Sequence, residues 1–185
     1  MKITLRVVIS WIVAALAIAA FIVSFSAGIV GKLAGVLTNF KGLAFGKQTT
    51  IITTSAGTFE TATEGPIPSL LSRIAVILIL VGGVFAALAA TFKTHFGKKG
   101  LLIFAAVIIL VGAIMMLFTK EGWIESQIQQ MIKEGSLKEA NADNAREGFN
   151  KVYESFKNNS GTIFTAILGF LAAIGSLFAA FSKKR

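Results

Sequence analysis

The side chains able to do chemistry are few and scattered. His95 is the only histidine and stands among Lys93, Lys98 and Lys99, where a lone imidazole cannot assemble a metal site and meets solvent or lipid headgroups instead. Glu121 and Glu125 lie one helical turn apart and could hold a cation. Acids at a helix start are, however, stabilised by the helix dipole alone. Asn158-Asn159-Ser160 fits the N-glycosylation pattern, but it abuts an apolar run and applies only in a secretory system. The chain has no cysteine, which excludes disulfides, thiolate ligands and a thiol nucleophile. It also lacks GxSxG, a phosphate-binding glycine loop and HExxH. The expectation is a protein that is not an enzyme and carries no cofactor or metal.

The elements around these residues are dominated by apolar runs. Of 185 residues 55% are hydrophobic and 15% charged, the balance of a chain dissolved in lipid. A bilayer core about 30 Å thick needs roughly 20 apolar residues in a helix. No charge falls between Arg6 and Lys32, Arg73 and Lys93, Lys99 and Lys120, or Lys157 and Lys183. These intervals predict spans over 7–30, 69–92, 100–118 and 162–181, with outer loops 31–68 and 119–161, all within one four-span domain. The first run is too long for a signal-peptide core and reads as an uncleaved anchor.

Charge sets the orientation, because Lys and Arg near span ends are retained in the cytoplasm. Lys2, Arg6, Lys93, Lys98, Lys99, Lys183, Lys184 and Arg185 fall on one side without any acid, which places both termini in the cytoplasm. Glu60, Glu64, Glu121, Glu125, Glu134, Glu139, Asp143, Glu147 and Glu154 fall on the other. The net charge of +9 is thus a product of topology, and nucleic acid is not expected as a partner. Trp11 and Trp123 stand near opposite interfaces, and the short link from Lys93 to Lys99 makes spans two and three antiparallel neighbours. The plasma membrane is the expected location.

Helices in lipid associate through small residues that let backbones approach. Ala20, Ser24 and Gly28, then Gly82, Ala86 and Ala90, then Gly169 and Ala173 supply such faces on three spans. No ionisable or amide side chain occurs in the middle of any span, which disfavours an ion-coupled transporter.

The outer loops carry more information. Leu33, Val36, Leu37 and Phe40 are spaced for a short amphipathic helix on the interface. Gln48 to Thr54 and Thr58 to Ala62 then predict a β-hairpin around Ser55-Ala56-Gly57, closed by Glu64-Gly65-Pro66-Ile67-Pro68, with Ser69 capping the second span. In the second loop Trp123, Ile124, Ile128, Met131 and Ile132 predict one amphipathic helix stopped at Gly135. Ser136-Leu137-Lys138-Glu139 reads as the capping box of another, with Ala145, Phe149, Val152 and Phe156 on one face. Either the two stripes pack on each other and on the hairpin, or Trp123, Ile128, Ile132, Phe149, Val152 and Phe156 form a partner surface.

The fold class expected is therefore an all-α membrane protein, a four-transmembrane-helix bundle with a small extracytoplasmic domain made of a hairpin and a helical pair. Four spans, inside termini, a long first outer loop with strand character and a second outer loop resemble the claudin-like tetraspan architecture. The resemblance lies in topology: this chain has neither a cysteine nor a first-loop tryptophan to match that family's signature. The function expected is a structural or accessory subunit of a larger membrane complex, with lipid, other membrane subunits or copies of itself as partners. The alternative is a small homo-oligomeric channel or pore lined by Ser, Thr and Gly.

Overall fold

The computed structural model describes residues 4–45, 49–62, 69–92 and 95–182. It is mostly helical, with four long apolar helices and a small sheet. The long helices are α1 (Leu5–Ser24), α2 (Leu70–Thr91), α3 (His95–Leu117) and α6 (Ser160–Phe181). All four are long and apolar enough to cross a membrane. Between α1 and α2 run four strands, β1 (Gly28–Leu33), β2 (Val36–Lys41), β3 (Thr49–Thr54) and β4 (Gly57–Ala62). Between α3 and α6 come α4 (Thr119–Lys133), α5 (Ala142–Val152) and the short strand β5 (Lys157–Asn158). The expected Glu64–Pro68 turn and the basic residues Lys2, Lys93, Lys183, Lys184 and Arg185 lie outside the described residues.

The chain divides into two compact units. The first comprises Met1–Val23, Ile74–Met116 and Phe164–Arg185, and the second Ser24–Arg73 and Leu117–Ile163.

The first unit is a bundle packed through small residues, as it must be where side chains are apolar on every face. A Cβ added at Gly112 would lie 2.5 Å from the Ala75 carbonyl oxygen, and one at Gly169 would lie 2.9 Å from the Ala113 Cβ. Gly82 meets Ile109 and Gly83 meets Ala17 just as closely. Two polar contacts supplement this packing. Ser176 Oγ donates to the Leu102 carbonyl at 2.8 Å, and Arg6 Nε donates to the Ala179 carbonyl at 2.8 Å, so a cation satisfies acceptors at the C-terminal end of α6. Phe85 and Phe104 meet edge to face at 5.1 Å. The outward faces, including Trp11, Ile22, Val84, Leu171 and Ile174, remain exposed.

The second unit corrects the all-α expectation. Its five strands form one antiparallel sheet in the order β4-β3-β2-β1-β5, so both the segment between α1 and α2 and the segment between α3 and α6 contribute to it. The predicted β3–β4 hairpin is present, with a two-residue turn at Ser55-Ala56 rather than three, since Thr54 pairs with Gly57. The amphipathic helix expected over Leu33 to Phe40 is instead the β1–β2 hairpin. Ala34 and Gly35 adopt φ of 50° and 83°, the left-handed pair that a tight hairpin turn requires. Ile29, Phe40 and Thr38 then alternate inward along the strands, a periodicity of two that competed with the helical spacing of the same leucines and valines. The first helix accordingly stops at Ser24, and Gly28 is a strand residue rather than a helix-packing one.

A second correction concerns the start of α5. Ser136 donates its hydroxyl to the Met131 carbonyl at 2.9 Å, and the Leu137 N–H bonds the same carbonyl at 3.0 Å. The capping-box residues thus finish α4, with Gly135 at φ 74° as the predicted stop. A 3-10 turn over Glu139–Asn141 follows before α5 begins.

Candidate functional site

The residues singled out from sequence in the second loop converge on one apolar core. Ile29, Leu43, Trp123, Ile124, Ile128, Ala142 and Phe156 are buried together, with Phe40, Ile132, Leu137, Ala145, Phe149 and Tyr153 packed around them. Phe40 from β2 stacks on Trp123 at 5.5 Å and on Phe156 at 5.6 Å, while Tyr153 stands edge-on to Trp123 at 5.0 Å. Of the six candidate partner-surface residues, Trp123, Ile128 and Phe156 are therefore interior, and Ile132 and Phe149 are partly covered. Val152, 57% exposed, is the one that faces outward. The physical reason is that the sheet, of which only the β3–β4 hairpin is legible in sequence, brings Ile29 of β1 and Phe40 of β2 against them. Gly31 is what permits the fit: a Cβ there would sit 2.6 Å from the Phe156 ring.

One apolar strip is covered on one side only. Ala145, Gly148, Phe149, Val152 and Tyr153, at helical spacing along α5 and just past its end, line an open groove of about 370 Å³. Burial pushes the Tyr153 hydroxyl above the usual phenol range.

The polar side chains serve the framework. Asn159, 4% exposed, accepts N–H bonds from Gly28 and Thr162 at 3.0 Å each and donates to the Ser26 carbonyl at 3.0 Å. It thereby caps α6 and ties that helix start to β1 and to the segment before it. Thr162 Oγ1 also donates to the Gly28 carbonyl at 2.8 Å. A second node joins Ser72 Oγ to Ser69 Oγ at 3.0 Å and to Thr119 Oγ1 at 3.1 Å. The Ser72 N–H reaches Ser69 Oγ at 3.2 Å, the cap read from sequence. Asn159 was missed in the sequence because it was read only as part of a modification pattern. Its position just before an apolar run was nonetheless a capping signal.

The same geometry answers the modification question. Asn158 is half-buried, and the Nδ2 that would carry a glycan donates to the Leu117 carbonyl at 2.7 Å.

Glu125, one of the two acids that could hold a cation, is instead engaged by an arginine. Arg146 takes both Glu125 oxygens, with Nε 2.7 Å from Oε2 and Nη2 2.9 Å from Oε1, while Gln129 donates to Oε1 at 2.8 Å. These hydrogen bonds, Arg146 first, hold the Glu125 carboxyl down at about 2. Arg146 also bonds Asp143 at 2.6 Å, and its guanidinium is held charged well beyond its ordinary range. The described residues contain no group of three metal-ligating side chains.

No known protein family and no curated protein matches this sequence. The reading of its role therefore rests on its own geometry.

Of the helix-packing residues, Ala20, Ser24, Gly82, Ala86, Gly169 and Ala173 are buried, and Ala90 is half-buried. Gly112, which brings α3 against Ala75 and Ile79 of α2, was not singled out in the sequence, where it stands alone among larger residues.

Proposed function

We propose that this chain is a multi-pass integral membrane protein with both termini cytoplasmic and its second unit outside, acting as a non-enzymatic structural or accessory subunit of a larger membrane complex. The observation that carries this reading is where the polar chemistry goes. Most buried hydroxyl and amide groups bond within the fold, from Ser10 and Thr38 to Asn159, Thr162 and Ser176, while among the described residues Trp123 Nε1 and Asn158 Oδ1 are buried without a partner. Polar groups thus spent on the framework are not free to bind or transform a substrate. The apolar side chains, by contrast, are abundant outside. They cover the outward faces of all four long helices and one strip of α5, which suits lipid and neighbouring proteins as surroundings.

The pore reading draws less support. Ser10, Ser72, Thr165 and Ser176, hydroxyls within the long helices, are buried, so apart from Thr91 at the end of α2 a path between copies would be lined mainly by apolar side chains.

Purification from native membranes in mild detergent, followed by cross-linking, tests the proposal. It expects the chain to migrate in a complex larger than its own mass. A monodisperse monomer without any cross-linked neighbour overturns it.

A further inference from the structure

The sheet has two edges, and they are treated differently. Residues of an antiparallel strand alternate in the edge to which their N–H and C=O point, and the two-residue turns set the phase. Leu33 with Val36, and Thr54 with Gly57, close those turns as bonded pairs. In that phase β1 presents Gly28, Val30 and Lys32 to its outer side. That edge is occupied: Asn159 N–H donates to the Gly28 carbonyl at 2.9 Å, and Val30 pairs with Lys157. Beyond β5, Ser155 Oγ accepts from Lys32 N–H at 3.0 Å and donates to the Lys32 carbonyl at 2.9 Å.

At the other edge the same phase turns the backbone groups of Thr58 and Glu60 away from β3. Among the described residues no strand lies beyond β4 and nothing bonds these groups. Between them Phe59 is 56% exposed. A bare edge of this kind is a template for strand pairing that proteins ordinarily cover.

We propose that β4 is a self-pairing edge, through which two copies in the same membrane join antiparallel with Phe59 against the partner's Phe59 on the two-fold axis. The inference rests on the proposed membrane topology and names one partner of the proposed complex. The register follows from the side chains. Centred on Phe59, Thr58 and Glu60 of the partner subunit form a bonded pair, and so does the reciprocal one. The rings then fall in the close non-bonded pair, where aromatic contact is strongest. Centring on Glu60 instead would oppose two carboxylates. A second copy is confined to the same membrane, which raises its effective concentration without new contacts.

The absence of cysteine gives a clean test. In membranes treated with a mild oxidant, Phe59→Cys forms disulfide-linked dimers at least about fivefold above Thr58→Cys or the exposed Asn144→Cys, because only the central pair meets bridging geometry. Adding Glu60→Pro to Phe59→Cys removes an outward N–H that β3 does not use, and lowers the dimer yield about tenfold. Should that double variant lose the native elution profile, Thr58→Pro takes its place by the same logic. Equal yields at all three cysteine positions, or cross-linking that survives the proline, overturn the pairing. Absence of the dimer while other proteins still co-purify overturns the pairing alone. A dimer with no other protein attached supports the pairing and counts against the larger complex.

Discussion

At the residue scale the second unit depends on a few side chains whose replacement has calculable cost. Asn159 satisfies two buried N–H groups and one carbonyl at once, so Asn159→Ala strands them away from water. A loss of about 2–3 kcal/mol follows from the missing cap and the unpaired groups, read as a lower unfolding midpoint in detergent. Asn159→Asp keeps the acceptor and should lose less. Glu125 provides a pH signature of definite sign. Its folded carboxyl is lowered from 4.5 to about 2, so the fold prefers the charged form. Its contribution is present above 4.5 and fades as the pH falls through about 2. Half-exposed side chains and solvent screening keep the effect small. The midpoint of Glu125→Gln should accordingly change less than that of the unmodified chain between about pH 5 and about pH 2.5. An identical acid profile for the two proteins contradicts the pairing with Arg146.

At the element scale, what was legible in the sequence and what was not have separate physical causes. The long helices could be read because charge-free length is a global signal that no local ambiguity disturbs. The β3–β4 hairpin could be read because Thr and Ile flank a glycine-bearing turn. The β1–β2 hairpin could not, since Leu33, Val36, Leu37 and Phe40 satisfy a helical spacing as well as a strand one. Its turn, moreover, is Ala34-Gly35 rather than Asn-Gly. The aromatic cluster was beyond reach for a different reason: Phe40 meets Trp123, Tyr153 and Phe156 only once the sheet has assembled from both segments. Ala34 carries the cost of its turn, at φ 50° with a Cβ that disfavours the left-handed region. Ala34→Asn should therefore stabilise the hairpin by about 0.5–1 kcal/mol, seen as a raised unfolding midpoint. A lowered midpoint would mean that the strands meet in another way. In the bundle, Gly112→Val places two methyl groups where the Ala75 carbonyl and Ile79 already lie, and overpacking of that kind costs about 1–3 kcal/mol.

At the scale of the whole molecule, charge and structure partition together. All nine acidic residues fall in segments of the second unit, while the charged residues of the first unit are all basic. The boundary between the two compact units is thus also the boundary between acid-bearing and purely basic segments. If the polypeptide is inserted as proposed, the second unit faces outward and the start of α3 faces inward. The cysteine-free chain allows this to be read directly. Thr58→Cys, exposed on the sheet edge, should react with a membrane-impermeant maleimide in intact cells. Lys98→Cys, in the first turn of α3, should react only after the membrane is permeabilised. The reverse pattern would place the basic segments outside and remove the topology on which both the accessory role and the pairing of β4 depend. Equal labelling of both positions in intact cells would go further, because no four-span arrangement puts residues 58 and 98 on the same side.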